Sequence, residues 1–195
     1  MDVKYKGKWI QIGIKKYTLE GNDKEMEWEC VERTSRVIEV DGIDLIPFLV
    51  SKNYLEPHIM LIENYRVPAK TFCIEFPAGL IDKGESVETS ALRELKEETG
   101  YTATKLYCKS PIIYYSPGIT NENGYVYMTT INMDNEQNQS HIQNLESSEI
   151  IHVQNIPLSE LKNYIDKCVQ KGYAIEGKIY FMLLGILMQK KYLKI

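Results

Sequence analysis

The first 80 residues show hydrophobic patterns that are typical of β-strands. Residues 9–17 alternate irregularly between apolar and polar, and residues 25–40 are rich in β-branched and aromatic side chains before the turn signal Asp41-Gly42. Residues 42–50 and 57–67 are apolar runs of strand length. This part of the chain is therefore predicted to consist mainly of strands.

The period of the pattern becomes helical after residue 80. Val87, Ala91 and Leu95 are four residues apart and fall on one face of a helix. Ser86 is a favourable N-cap, and Gly100 suits the position after the last helical turn. The sequence predicts a helix from Val87 to Thr99.

The rest of the chain returns to strands and ends in helices. Strands are predicted over residues 105–114, 125–131 and 149–153, helices over 158–172 and 177–190, and a polar surface loop over 132–144. Strands on both sides of a central helix, followed by terminal helices, indicate a mixed α/β or α+β sandwich.

Composition narrows the class of protein. The 195 residues are 44% hydrophobic, carry a formal net charge of −4 and contain no basic block, so no nucleic acid or membrane partner is expected. The apolar run 179–188 is too short to span a bilayer. The four cysteines form no CxxC pair, and the N-terminus shows no secretory pattern. We expect a cytoplasmic protein with free thiols, and a nuclear location would also suit it.

Three glutamates cluster at the end of the predicted helix. Glu94 and Glu98 are four residues apart, Glu97 lies beside them, and Glu98 falls within the apolar stripe. Their mutual repulsion is made worse by the helix dipole, which disfavours anions at a C-terminus. The spacing alone leaves two interpretations open: a solvated acidic face neutralised by Arg93 and Lys96, or a site for a divalent cation.

A longer pattern around these glutamates decides between the two interpretations. Residues 79–101 are GLIDKGESVETSALRELKEETGY, and they resemble the Nudix box of Gly, five residues, Glu, seven residues and Arg-Glu-aliphatic-x-Glu-Glu-x-Gly-apolar. Only Tyr101 departs from the pattern, because an aliphatic residue is usual there. The resemblance implies the Nudix fold, an α+β fold with mixed β-sheets sandwiched between helices, here with an N-terminal β extension. It also implies hydrolysis of a diphosphate linked to another group.

The resemblance also implies a metal site that uses Mg²⁺, with Mn²⁺ as a possible substitute. Glu97, Glu98 and Arg93 would be catalytic, Arg93 by pairing with a box glutamate, most simply Glu97, and Glu85 would help to position the cluster. The implied metal ligands are the carbonyl of Ala78 and the carboxylates of Glu94, Glu97, Glu98 and Glu149.

The general base is expected outside the box. In the branch of the family that the flanking segments described next resemble, it is a glutamate on a loop before a late strand. Glu149 in Ser147-Ser148-Glu149-Ile150 is the best match to that position, and Glu146 is the alternative. Either residue is also compatible with an ordinary solvated loop acid.

The segments that flank the box resemble the ADP-ribose pyrophosphatase branch, and in particular the eukaryotic ADP-sugar pyrophosphatases. The resemblance covers nearly the whole chain. The segments that carry it are residues 7–9, 28–29, 33–36, 64–68, 75–80 and 116–118.

This branch implies a set of substrate-binding residues. Trp9 and Trp28 would sandwich an adenine, and Glu29 would accept a hydrogen bond from the adenine amino group or a sugar hydroxyl. Arg33 and Arg66 would bind phosphate. The implied set is completed by Leu80 and Ser116. Without the resemblance, core packing of the tryptophans and surface ion pairs of the arginines would be the simpler interpretations.

The implied organisation is a homodimer in which N-terminal strands of one subunit help to build the site of the other. Residues 1–50 would form a β region for dimerisation and adenine binding, and residues 51–195 the Nudix hydrolase domain. The expected reaction is Mg²⁺-dependent hydrolysis of ADP-ribose and related ADP-sugars to AMP and a sugar phosphate. Alternatives are an oxidised guanine nucleoside diphosphate or a GDP-sugar as substrate, or a module that binds ADP-ribose without hydrolysing it.

Overall fold

The computed structural model describes residues 1–193. The strands are β1 Asp2–Lys6, β2 Ile10–Leu19, β3 Asn22–Arg33, β4 Gly42–Val50, β5 His58–Arg66, β6 Thr71–Glu75, β7 Ala78–Leu80, β8 Leu106–Tyr107, β9 Ile113–Tyr114, β10 Asn123–Asn132, β11 Ile151–Pro157 and β12 Ala174–Ile175. The helices are α1 Val87–Thr99, α2 Leu161–Gln170 and α3 Gly177–Met188. Short 3₁₀ turns cover Glu136–Asn138 and Leu158–Glu160, and a π turn covers Gln189–Leu193.

The strands form two sheets. Strands β1, β2 and β3 make an antiparallel sheet of their own, and a bridge between Val31 and Thr120 joins it to the rest of the chain. The larger sheet has the order β12-β6-β5-β4-β10-β8, with β11 beside β5, β7 beside β4 and β9 beside β10. It is mixed, because β10 runs parallel to β4 whereas β5 runs antiparallel to it. The predicted mixed-sheet α+β architecture is confirmed.

The division between the sheets lies earlier in the chain than the domain boundary that we expected at residue 50. Strand β4 ends at Val50, but it pairs with β5, β7 and β10 at the centre of the larger sheet. Six of its nine residues are buried, because both faces of this sheet are covered. The small sheet therefore ends at Arg33, and the division of the chain into domains at residue 50 stays a prediction.

Helix α1 has the predicted ends. The side chain of Ser86 accepts a hydrogen bond from the backbone N–H of Thr89 at 3.1 Å. Gly100 adopts φ +75°, which favours glycine, and its N–H bonds to the carbonyl of Lys96 at 2.8 Å. These two caps fix the start and the end of the helix that bears the three glutamates.

Helices cover both faces of the larger sheet. On one face, Ala91 and Leu95 of α1 pack against Leu45 and Tyr127 in one buried cluster. On the other face, helices α2 and α3 pack against strands β5 and β6. The helices contribute the buried residues Leu161, Ile165 and Ile179, and the strands contribute Ile59 and Ile74. Helix α1 and helices α2 and α3 thus enclose the sheet as layers around two apolar cores.

Some predicted elements differ from the observed ones. The strand predicted over 25–40 ends at Arg33, and that predicted over 105–114 is reduced to β8 and β9. The polar stretch 132–144 contains a 3₁₀ turn in which Asn138 is buried, because its amide donates to the carbonyls of Thr102 and Asn132. A local pattern cannot predict these bonds. No helix within residues 1–193 has the length and apolar character needed to cross a bilayer.

Candidate active site

A cleft of about 540 Å³ opens where α1, the ends of β4, β6 and β7, the loop before β11 and the start of α3 meet. Ten of the residues singled out from the sequence line it: Trp9, Arg33, Arg66, Ala78, Leu80, Arg93, Glu94, Glu97, Glu98 and Glu149. Glu146, the alternative base, lies there as well. Residues from six different segments therefore converge on one site.

Two of the box glutamates, Glu94 and Glu98, are held deep in this cleft. Glu98 is only 4% exposed, and its Oε2 accepts a hydrogen bond from the backbone N–H of Ala78 at 3.0 Å. Burial raises the pKa of Glu98 well above its usual value and raises the pKa of Glu94 to about 7. A bound cation would offset this cost of burying negative charge.

Gly79 is required by the position of Glu94. A Cβ atom at residue 79 would lie 1.9 Å from Cδ of Glu94, which is far inside van der Waals contact. The box glycine therefore leaves the space into which the carboxylate of the helix points.

Arg93 organises four acceptors around one guanidinium. Its Nη1 donates to Glu94 and Glu97, each at 2.9 Å, and its Nε lies 3.1 Å from both oxygens of Glu85. Its Nη2 donates to the carbonyl of Leu80 at 3.1 Å. The pairing with Glu97 is the one expected from the sequence. The contacts with Glu85 and Glu94 show that Arg93 orients more of the cluster than was foreseen.

The cleft is strongly acidic. Eleven acidic side chains line it, against four basic ones: Arg33, Arg66, Arg93 and Lys178. Each basic side chain is paired with a carboxylate, for example Arg66 with Glu75 at 2.6 Å. An anionic substrate would therefore be repelled unless cations entered with it.

The donor set fits a hard divalent cation. Within residues 1–193, no three acidic, histidine or cysteine side chains are arranged as a ready-made metal site. Mg²⁺ does not require one, because it is usually bound by one or two carboxylates together with waters and substrate phosphates. Glu94, Glu97 and Glu98 offer such carboxylates on one helix face.

The two loop acids lie close to each other where the loop before β11 lines the cleft. The backbone N–H of Glu146 donates to Oε2 of Glu149 at 2.9 Å. The negative charge of Glu149 contributes to the raised pKa of both Glu94 and Glu98. Glu149 is thus electrostatically coupled to these two box glutamates.

Three implied substrate-binding residues lie outside the cleft. Trp28 lines a separate pocket of about 300 Å³, where its Nε1 donates to the carbonyl of Gly118 at 3.1 Å. Glu29 is exposed on β3, and the carbonyl of Ser116 accepts bonds from the turn that follows it. The backbone N–H of Thr34 donates to the carbonyl of Trp9, so Trp9 lies beside the end of β3. Trp28 is five residues before that end, roughly 17 Å away along the strand. One chain therefore does not bring the two tryptophans together.

Sequence reasoning missed a polar cluster at the end of the cleft next to α3. Tyr115 donates to Asp44 at 2.5 Å, and Lys178 pairs with both Asp44 and Glu176. Asp44 is 2% exposed. The sequence signal that could have indicated this cluster is Asp44, the single carboxylate within the apolar strand GIDLIPFLV. Its partners Tyr115 and Lys178 are 71 and 134 residues away in the chain, so the sequence does not show them.

A family model for the NUDIX domain matches residues 50–175. The chain belongs to the Nudix hydrolase family. An ADP-ribose pyrophosphatase of Saccharomyces cerevisiae is 39% identical over 187 residues, covering 95% of this chain and 80% of the yeast protein. An ADP-sugar pyrophosphatase of Mus musculus is 33% identical, with coverages of 89% and 79%. The solved structure of an ADP compounds hydrolase superposes with a TM-score of 0.62 at 20% identity, over 85% of this chain and 80% of that one.

These comparisons confirm the predicted Nudix fold and a hydrolase. Nudix hydrolases generally use divalent metal ions, in agreement with the acidic cleft. The residue that departs from the Nudix pattern, Tyr101, is 3% exposed and stacks on His141 with ring centroids 4.2 Å apart. The tyrosine that replaces the usual aliphatic residue therefore packs against the loop before β11.

Proposed function

We propose that this Nudix hydrolase cleaves the diphosphate of ADP-ribose and related ADP-sugars, giving AMP and a sugar phosphate. The observation that carries the proposal is that one cleft holds the three box glutamates together with Trp9, Arg33 and Arg66. Similarity over 95% of the chain to a yeast protein named ADP-ribose pyrophosphatase supports the same substrate class.

The metal in this proposal is Mg²⁺, with Mn²⁺ as a substitute. Glu94, Glu97, Glu98 and Glu149 would hold it with the carbonyl of Ala78. When bound, it neutralises phosphate charge and polarises phosphorus–oxygen bonds. Arg93 keeps Glu94 and Glu97 in place through its two 2.9 Å bonds.

Glu149 is the proposed general base. Its carboxylate would accept the proton of the attacking water, and its coupling to Glu94 and Glu98 supports a position facing the reaction. Glu146 remains the alternative, because it lines the same cleft.

Arg33 and Arg66 would bind the phosphates. The guanidinium of each contacts a carboxylate through Nε and Nη2, Arg33 with Glu122 and Arg66 with Glu75. These contacts engage Nε and Nη2, and Nη1 of each guanidinium would donate to a phosphate oxygen.

A homodimer would complete the adenine site. An adenine sandwich needs two rings roughly 7 Å apart, whereas Trp9 and Trp28 of one chain are far more widely separated along β3. Both tryptophans are more than half exposed, and Val3, Tyr5 and Ile12 add exposed apolar surface on the same small sheet. A second copy that placed its Trp28 opposite Trp9 would bury this surface and form the sandwich.

We place the protein in a reducing compartment, the cytosol or the nucleus. All four cysteines are free thiols, which supports this placement.

The deciding experiment is a substrate panel in Mg²⁺ with product identification. The panel contains ADP-ribose, ADP-glucose, GDP-mannose and an oxidised guanine nucleoside diphosphate. We expect the highest kcat/KM for ADP-ribose, with AMP as product. A clear preference for a guanine substrate would overturn the choice of base, and tight binding of ADP-ribose with no AMP formed would overturn hydrolysis.

A further inference from the structure

The loop that carries Glu146 and Glu149 has no regular structure between the turn at Glu136–Asn138 and the start of β11. Most of its residues are exposed. A general base must nevertheless be held within a fraction of an ångström of its working position. Backbone bonding to β5 reaches the last residue of this loop, where the carbonyl of Ile150 accepts from the N–H of Tyr65 at 3.1 Å. Other contacts must therefore fix the residues before it.

The first anchor is at the end of α1. The last carbonyls of a helix have no partner within the helix. Here the side-chain amide of Gln143 donates to the carbonyl of Glu98 at 2.6 Å, and the backbone N–H of Asn144 donates to the carbonyl of Glu97 at 2.8 Å. The loop thus caps the turn that bears the box glutamates.

The second anchor uses the same amide nitrogen. Nε2 of Gln143 also lies 3.2 Å from the carbonyl of Ile151, the first residue of β11. A glutamine Nε2 carries two hydrogens, one for each carbonyl. One side chain therefore ties the end of α1 to the start of β11 and closes the segment 143–151, within which Glu149 lies.

The contact between the loop and the helix end is close. A Cβ atom at Gly100 would lie 2.7 Å from the backbone nitrogen of Ile142, so only a glycine leaves room for the loop there. Next to it, the ring of Tyr101 stacks on His141. The residues just before Gln143 are thus pressed against α1 independently of the amide bonds.

We propose that Gln143 is a positioning residue that sets the carboxylate of Glu149 against Glu94 and Glu98. The proposal rests on the role of Glu149 in the proposed function. An amide is required at this position, because both partners are carbonyl oxygens and a carboxylate in its place would be repelled by them.

The test compares Gln143→Glu with Gln137→Glu. Gln143→Glu keeps the shape of the side chain and removes both donors. Gln137 is an exposed glutamine of the 3₁₀ turn that precedes this loop, so the control makes the same charge change away from the anchor. Gln143→Ala is a second variant that adds no charge. The measurements are kcat and KM for ADP-ribose in Mg²⁺, the melting temperature, and amide hydrogen exchange over residues 144–150.

Both Gln143 variants should lower kcat by roughly 10- to 100-fold, as expected for an ångström-scale displacement, and leave KM within about threefold. Exchange over 144–150 should become faster, while Gln137→Glu matches the unsubstituted enzyme. In a Glu149→Gln background, Gln143→Ala should have no further effect on kcat, because both changes act on one group.

Unchanged kcat or unchanged exchange in Gln143→Glu would overturn the proposal, and so would losses that multiply in the double variant. Full turnover by Glu149→Gln would overturn it as well, since Gln143 could not then act through Glu149. If the unsubstituted enzyme produced no AMP, the proposed function would fail, and hydrogen exchange alone would decide whether Gln143 anchors the loop.

Discussion

The substitution Gly79→Ala should separate activity from stability. The new Cβ would lie 1.9 Å from Cδ and 2.1 Å from Oε1 of Glu94. Non-bonded carbons approach to about 3.5 Å, so the carboxyl carbon must retreat by roughly 1.5 Å. The three nearest atoms all belong to the far end of the Glu94 side chain, which can rotate away without moving backbone.

The rotation would carry the Glu94 carboxylate away from Arg93 and from the other box glutamates. A displacement of about 1 Å of a catalytic group costs on the order of 10²-fold in rate, or ~2.7 kcal/mol of transition-state stabilisation. The cost in folding should stay below about 1 kcal/mol, because the overlap is relieved within the open cleft. For a chain of this length, this corresponds to a fall in melting temperature of less than about 4 °C.

The assay measures kcat for ADP-ribose in saturating Mg²⁺ together with the melting temperature. Gly185→Ala is the matched control, because Gly185 lies in α3 and a Cβ there meets nothing within 4 Å. That variant should keep its kcat and gain about 0.4–1 kcal/mol of stability. A kcat of Gly79→Ala within about threefold of the unsubstituted value would refute the argument. A fall in melting temperature well beyond 4 °C would show that the backbone had moved instead.

Three other predictions concern the cleft. Glu98→Gln should lower kcat by at least about 10²-fold while the fold is retained, since the change removes a buried charge and keeps the shape; near-normal turnover would contradict its role at the metal. The metal-free protein should lose stability as pH rises from about 4.5 to about 7, because the folded state holds the proton of Glu94 more tightly than the unfolded state does. Thermal melts at pH 6 and pH 8 test this, and Glu94→Gln should reduce the difference, the remainder coming from the raised pKa of Glu98. Finally, inactive Trp9→Ala and Trp28→Ala proteins should recover about a quarter of the native sites when they are refolded together in equal amounts, if each site is shared between two chains. Half of the dimers are then mixed, and one of the two sites in each mixed dimer has both tryptophans. No recovery in the mixture would contradict the shared sandwich.

The helix and its chemistry were predictable because they depend on local spacing. The period of Val87, Ala91 and Leu95 placed Glu98 within the buried stripe, and the structure leaves it 4% exposed. Ser86 and Gly100 predicted both ends of α1, since caps are chosen by residues next to the helix. The Nudix pattern lies within 23 consecutive residues, so the sequence alone was sufficient to identify the family.

What only the tertiary structure decided depends on residues that are far apart in the chain. Arg93 was expected to bind one glutamate and contacts three, because the loop before α1 folds Glu85 back onto the helix. The separation of Trp9 from Trp28 follows from where β3 lies and cannot be read from residue types. The same holds for the amide of Gln143: the sequence shows a polar loop residue, and only the fold places it between the end of α1 and the start of β11.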